Sequence, residues 1–261
     1  MSQDSVAAAY DTIAEQYDCL VAEDFWMRRV LWAHYMRVFR PGEHVLDVAC
    51  GTGLDALFLA ERGIHMTGMD ISAQMIAQLQ AKAKRHGLAN QIEVHVDDLV
   101  ALHSWSAARF DGIISAFAGL NTMRDLGAFA ADANRILRPK GRLIVHVLGP
   151  TDVWKQLGLF TRLQWHAAWE RRQRRHRTVV ISGRAIPHTL LLPTETYDRF
   201  FAPYFQLCQA YALGFMWPQR LSRWLPGSLA YALGRLEASL GARLPFLHWG
   251  RFFVLDLEKP G

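Results

Sequence analysis

The run Val45-Leu46-Asp47-Val48-Ala49 carries an acidic residue in an apolar strand and breaks at once into Cys50-Gly51-Thr52-Gly53. A helix-compatible segment, Leu54 to Glu61, follows without a linker. Strand, tight glycine turn and helix in that order form the crevice where an α/β sheet holds a nucleotide-like ligand. Gly51 and Gly53 can take positive φ and let the backbone approach a ligand that a Cβ would hold off.

The surrounding pattern agrees with this reading. Residues 6 to 39 read as helical, closed by Pro41-Gly42. Strands are expected at His44–Ala49, His65–Met69, Ile92–Val96, Gly112–Ala116 and Arg142–Leu148, with helices over 54–62, 73–87 and 125–137. Short apolar strands alternating with helices predict an α/β fold, a mostly parallel sheet covered by helices on both faces. Pro139-Lys140-Gly141 supplies the turn into the fifth strand. Beyond Pro150 come a Trp-rich helical stretch, a strand pair at Thr178–Ser182 and Ala185–Leu192, and a helix over Thr194–Phe201 with Thr194 as its N-cap. Leu207–Leu213 and Arg251–Leu257 read as two more strands, bringing the sheet to seven. Between them Leu229, Leu233, Leu236 and Leu240 form one apolar stripe, expected to pack a helix onto the domain.

Composition narrows the class. With 261 residues, 51% apolar and 9 Trp, the chain can bury a full core. Cys19, Cys50 and Cys208 are too scattered for a disulfide framework or a zinc site. The first residues lack the basic and apolar regions of a signal peptide, and no apolar run reaches membrane-spanning length, so a cytoplasmic protein is expected. Five arginines, Arg171, Arg172, Arg174, Arg175 and Arg177, account for the net charge of +5. They read as a solvated helix end: aromatic interleaving and a general basic background, which RNA binding uses, are both missing.

Acids stand at successive strand ends. Asp70 lies about 20 residues past the glycine turn, where a carboxylate accepts from ribose hydroxyls. Asp97-Asp98-Leu99 ends the third strand, where a carboxylate can accept from an exocyclic amine. Each could instead cap a helix, although three in a row are hard to explain as caps alone. A dinucleotide loop would need a third glycine where Ala56 stands, and Asp55 would bring negative charge near a pyrophosphate.

In these motifs the sequence resembles the class I S-adenosylmethionine-dependent methyltransferases, small-molecule branch. Asp47 to Gly53 is similar to that family's Asp-x-Gly-x-Gly-x-Gly loop, with Ala49 for the first Gly. Phe110 to Phe117 resembles its fourth strand, Arg138 to Leu143 its Arg-Pro-Gly-Gly turn, and Tyr10 to Asp18 its lid helix. The resemblance implies a Rossmann-like sheet with lid and cap insertions. It also implies a donor site of Tyr17, Asp47, Ala49, Cys50, Gly51, Gly53, Asp70, Ile71, Met75, Asp97, Asp98, Leu99 and Phe117.

The expected organisation is a helical lid (1–43), a donor-binding core (44–150), a variable acceptor-side insertion (151–192) and a segment completing the sheet (193–261) with a helical insertion at 214–250. S-adenosyl-L-methionine is the expected co-substrate, with no metal. His146, His166, His176 and His188 are candidate bases, His146 first because its strand position is best anchored. The family's Asn-Pro-Pro-Tyr motif for base amines is replaced by Ser115 to Asn121. An O or N nucleophile on a small hydrophobic or aromatic acceptor is therefore expected. Neither nucleic acid nor a membrane is expected as a partner. Two alternatives stand beside this reading: an RNA or protein methyltransferase docking through Arg171–Arg177, and a non-catalytic donor-binding subunit.

Overall fold

The structure is a computed structural model and describes residues 3–123, 125–173, 175–222 and 224–261. Its elements in chain order begin α1 (Gln3–Asp11), α2 (Tyr17–Leu20), α3 (Phe25–Val38), β1 (His44–Val48), α4 (Leu54–Ala60), β2 (His65–Asp70) and α5 (Ala73–Arg85). Then come β3 (Ile92–Val96), β4 (Phe110–Ser115), α6 (Leu126–Ile136), β5 (Leu137–Leu148), α7 (Val153–Thr161), α8 (Trp165–Gln173), β6 (His176–Ile181) and β7 (Arg184–Thr189). The last are α9 (Pro193–Thr196), β8 (Gln206–Leu213), α10 (Gln219–Ser222), α11 (Gly227–Gly241) and β9 (Phe252–Glu258).

Seven strands form one sheet in the order β3-β2-β1-β4-β5-β9-β8. The first five pair in parallel, and β9 lies antiparallel between β5 and β8. Strand order reverses between β1 and β4, and a doubly wound sheet opens its ligand crevice at such a switch point. Strand residues alternate between two cores. Val45 and Ile114 join the helices α3, α4, α5 and α11 on one face, while Leu46 and Ile113 join α6, Phe201 and Phe205 on the other. The α/β class read from the strand and helix pattern, and the Rossmann-like sheet that the resemblance implies, are the fold observed.

Several local expectations are corrected. The N-terminal helix is broken into α1, α2 and α3 by short turns, because Asp11 and Asp18 are drawn onto the glycine loop and α5. The Pro139-Lys140-Gly141 turn lies inside a longer β5, where the register against β4 shifts and Lys140 takes φ 61°. The helix near Thr194 starts one residue earlier, with Pro193 in its first turn and no side-chain cap. It passes into a π-turn at Tyr197–Phe201.

The leucine stripe of α11 is the largest correction. Leu229 and Leu236 are 46% and 50% exposed, and the buried residues are Ala230, Gly234, Glu237 and Gly241. Close approach of neighbouring atoms to the helix decides this. A Cβ at Gly234 would sit 2.7 Å from the Trp26 ring, and one at Gly241 would sit 2.5 Å from the Ala212 carbonyl oxygen. Close packing needs the small face inward, so half of the apolar stripe is left outside.

Residues 151–192 stand off the main sheet. They contribute α7, α8 and an antiparallel pair, β6 with β7.

Candidate functional site

The glycine turn leaves β1 through three left-handed residues, Ala49, Gly51 and Gly53, at φ 56°, 55° and 77°. Ala49 thus takes the conformation a glycine adopts freely. The facing residue makes room for its methyl group: a Cβ at Gly119 would lie 2.6 Å from the Ala49 Cβ. Gly51 lies under Tyr17, whose ring would be 3.5 Å from a Cβ there. Gly53 serves packing and does not line the crevice, since its Cβ would strike Leu79 of α5 at 2.1 Å.

Asp70 ties β2 to this loop. Its Oδ2 accepts the Gly51 N–H at 2.8 Å and its Oδ1 accepts the Ser72 N–H at 2.9 Å. Burial pushes its carboxyl above the usual range, while these two N–H groups pull it back. Capping of α5 falls to Ser72, whose hydroxyl accepts from Met75 N at 3.1 Å. Asp97 accepts the Asp98 N–H at 2.9 Å, and Asp98 makes no side-chain cap to the short helix at Leu99–Ser104. Asp70, Asp98, Leu99, Ile71 and Met75 line one side of a crevice that also includes Asp97.

A deeper chamber continues from that crevice, sharing Tyr17, Ala49, Gly51, Ala116 and Phe117 with it. Asp47, Cys50, Thr52, Asp55 and Arg28 line its inner end. Arg28 of α3 forms a buried ion pair with Asp55, which also accepts the Trp32 indole N–H at 2.7 Å. Asp55 is thus paired with a cation inside the chamber, and its charge weighs less against a pyrophosphate. That discrimination rests on the missing third glycine. Asp47 is 1% exposed, and its Oδ2 has no hydrogen-bond partner. Burial and the Asp55 charge hold its carboxyl well above the usual range.

The broken N-terminal helices roof the site. Val6 and Tyr10 of α1 line the outer crevice with Tyr17. Asp11 accepts from the Ser72 hydroxyl at 2.6 Å, while Asp18 accepts from Thr52 at 2.5 Å and pairs with Lys82. Burial raises the phenols of Tyr10 and Tyr17, so both stay protonated donors near neutrality.

His146 lies below the opposite wall. Phe117 and Ala118, just past β4, are left-handed at φ 51° and 70°, a strained pair for residues with side chains. The Phe117 N–H points at His146 Nδ1 at 3.2 Å, and the Ala118 N–H donates to the His146 carbonyl at 3.2 Å. The imidazole stacks on Phe252 with centroids 4.6 Å apart, and Arg28 covers the Phe117 ring at 4.4 Å. Burial, with Arg28 and Arg251 nearby, drives His146 down to about 3. Its ring is neutral at physiological pH. His166 and His176 are exposed, His188 is buried on β7, and none of the three lines the crevice.

Of the donor-site residues named from sequence, all but Gly53 line the two chambers, and none of the four candidate histidines does. Sequence reasoning missed Val6, Tyr10, Thr122 and Arg28. Tyr10 opens the lid motif and was within reach. Arg28 carries no local signal, because its role depends on Asp55 in another element. Among the described residues, no three His, Cys, Asp or Glu side chains gather as a metal site requires.

Comparison with known proteins agrees with this geometry. Residues 45–141 match the methyltransferase domain family. The demethylmenaquinone methyltransferase of Beutenbergia cavernae is 33% identical over 146 residues, 54% of this chain and 56% of that protein. The ubiquinone biosynthesis O-methyltransferase of Xylella fastidiosa is 34% identical over 120 residues, 44% of this chain and 46% of that protein. The matched parts thus span about half the length of these curated relatives. A solved S-adenosylmethionine-dependent methyltransferase of Methanosarcina mazei superposes with a TM-score of 0.59 at 19% identity, covering 86% of this chain and 96% of its own. Loop, acid-tipped strands and lid thus accompany a methyltransferase-domain match over residues 45–141, and the chain has the fold of solved S-adenosylmethionine-dependent methyltransferases.

Proposed function

We propose that this protein transfers the methyl group of S-adenosylmethionine to an O or N nucleophile of a small apolar or aromatic acceptor. One observation carries the proposal: the buried, unpartnered Asp47 oxygen beside Arg28 at the inner end of a crevice whose outer end holds Asp70 and Asp98. A buried carboxylate without a partner is costly, and a ligand ammonium would satisfy it. Arg28 stands close enough in the same chamber to face a ligand carboxylate. Asp70 suits ribose hydroxyls, and Asp98 with Leu99 suits an adenine edge. A zwitterion at one end and a nucleoside at the other describe this donor.

When bound, S-adenosylmethionine supplies an already activated methyl group for in-line displacement at its carbon. The chain's contribution is then alignment and exclusion of water. Tyr17 and α1 close the outer side, and the Phe117 ring walls the inner side. His146 holds the strained Phe117–Ala118 turn through the contact at its Nδ1. We assign it a positioning role, since a nitrogen already facing an N–H and a pKa near 3 suit proton abstraction poorly.

The two relatives above carry quinones in their names, as a demethylmenaquinone methyltransferase and a ubiquinone biosynthesis O-methyltransferase. A second cleft, lined by Trp26, Met27, Trp154, Trp217 and Arg251, suits an acceptor of that apolar, ring-bearing kind. Phe252 stands between Arg251 of this cleft, 5.2 Å away, and Phe117 of the donor crevice, 6.0 Å away, so in-line transfer requires the acceptor's nucleophile to reach past this ring to the donor methyl. The test uses methyl-labelled donor with hydroxy-aromatic and amine acceptors, bulk RNA and protein. Label in the small acceptors supports the reading. Label confined to RNA or protein, or donor binding with no turnover, overturns it.

A further inference from the structure

The segment from 151 to 177 carries the chain's whole net charge. Lys155, Arg162 and the five arginines between 171 and 177 stand against Asp152 and Glu170, a surplus of five in a chain whose total surplus is +5. Arg174 and the side chains of Arg171 and Arg172 lie outside the described residues. Arg162, Arg175 and Arg177 are exposed.

The same segment exposes a group of large apolar side chains. Trp165 and Trp169, four residues apart on one face of α8, are 60% and 62% exposed. Leu157 and Phe160 of α7 are also exposed, and Leu163 at the turn is 73% exposed. Phe160 and Trp165 pack together at 5.3 Å between centroids, joining the two helices into one apolar patch. A solvated helix end needs none of these side chains.

The patch borders the cleft. Trp154 of α7 donates its indole N–H to the Phe215 carbonyl at 2.9 Å, and α7 forms one wall. The opposite wall, Trp217 to Ser222, runs on into exposed Leu221 and Trp224. Tryptophan and leucine beside an arginine-rich run match an anionic bilayer surface: the rings sit at headgroup depth and the guanidinium groups meet lipid phosphates. No helix among the described residues is long and apolar enough to cross a membrane, so the contact is peripheral.

We infer that the α7–α8 hairpin docks this protein on an anionic membrane surface, with the mouth of the tryptophan-lined cleft beside the lipid. The arginine surplus selects a bilayer over a second copy of the same patch, which would bring like charges together. The inference stands apart from the methyl-transfer reading, because vesicle binding needs neither donor nor acceptor.

Flotation of the full chain with phosphatidylcholine vesicles, with and without about 30 mol% phosphatidylglycerol, tests it directly. Binding to the anionic vesicles, weakened by salt, is expected. W165S/W169S and R162S/R177S should each weaken it by about tenfold or more. Both variants should keep calorimetric binding of S-adenosylhomocysteine, which shows that they fold. Absence of binding to anionic vesicles, or binding unchanged in both variants, overturns the inference. So does a lipid-free dimer that W165S/W169S dissolves, which would make the patch a self-interface.

Discussion

Arg28 and Asp55 meet as a buried ion pair beneath the glycine loop, one from α3 and the other from the first turn of α4. The pair locks the N-terminal roof to the loop it covers. Removing one partner strands the other charge in the core, which typically costs about 3–5 kcal/mol. Asp55→Ala should therefore show a clear fall in unfolding free energy by urea titration. Replacing both with apolar residues, as in R28M/D55L, should recover most of that loss while donor affinity stays low.

Asp47 trades stability for binding. Its folded-state pKa is raised, so the protonated form favours folding at low pH and that contribution is lost as pH rises through the raised value. Asp47→Asn mimics the protonated state. It should raise Tm at neutral pH by roughly 2–4 °C and weaken donor binding by about tenfold or more. In the wild type, donor binding should release a proton, so affinity should climb with pH until Asp47 is ionised in the free protein. Calorimetry in two buffers of different ionisation heat reads this directly.

Ala49 is the strained member of the loop. A non-glycine residue in the left-handed region costs about 1–2 kcal/mol, partly offset by the unfolded-state entropy that a glycine adds. Ala49→Gly should stabilise the fold by about 0.5–1 kcal/mol, measured as a small upward shift of the thermal midpoint.

His146 separates positioning from proton transfer. His146→Phe removes the Nδ1 contact that faces the Phe117 N–H and should lower turnover by about tenfold. The pH profile of the residual activity should keep its shape. A lost acid limb would instead assign His146 the proton.

The parts legible in the sequence are those whose partners are close in the chain. The strand β3 is found at its expected limits, Ile92–Val96, because an apolar run between turns determines it locally. Asp70 and Asp98 were legible because strand ends in this topology converge on one crevice. The inward face of α11 was not, because it is decided by how near the Trp26 ring of α3 and the β8 backbone come to Gly234 and Gly241. Nor was the Arg28–Asp55 pair, or the exposure of Trp165 and Trp169, since each depends on what tertiary packing leaves covered.

Calorimetric titration of S-adenosylhomocysteine into the wild type, D70A and D98A tests the central claim most directly. One site per chain is expected, with a dissociation constant on the order of micromolar. Each variant should bind at least about tenfold more weakly, and NAD should give no heat. No binding to the wild type, or equal affinity across all three proteins, would contradict the account.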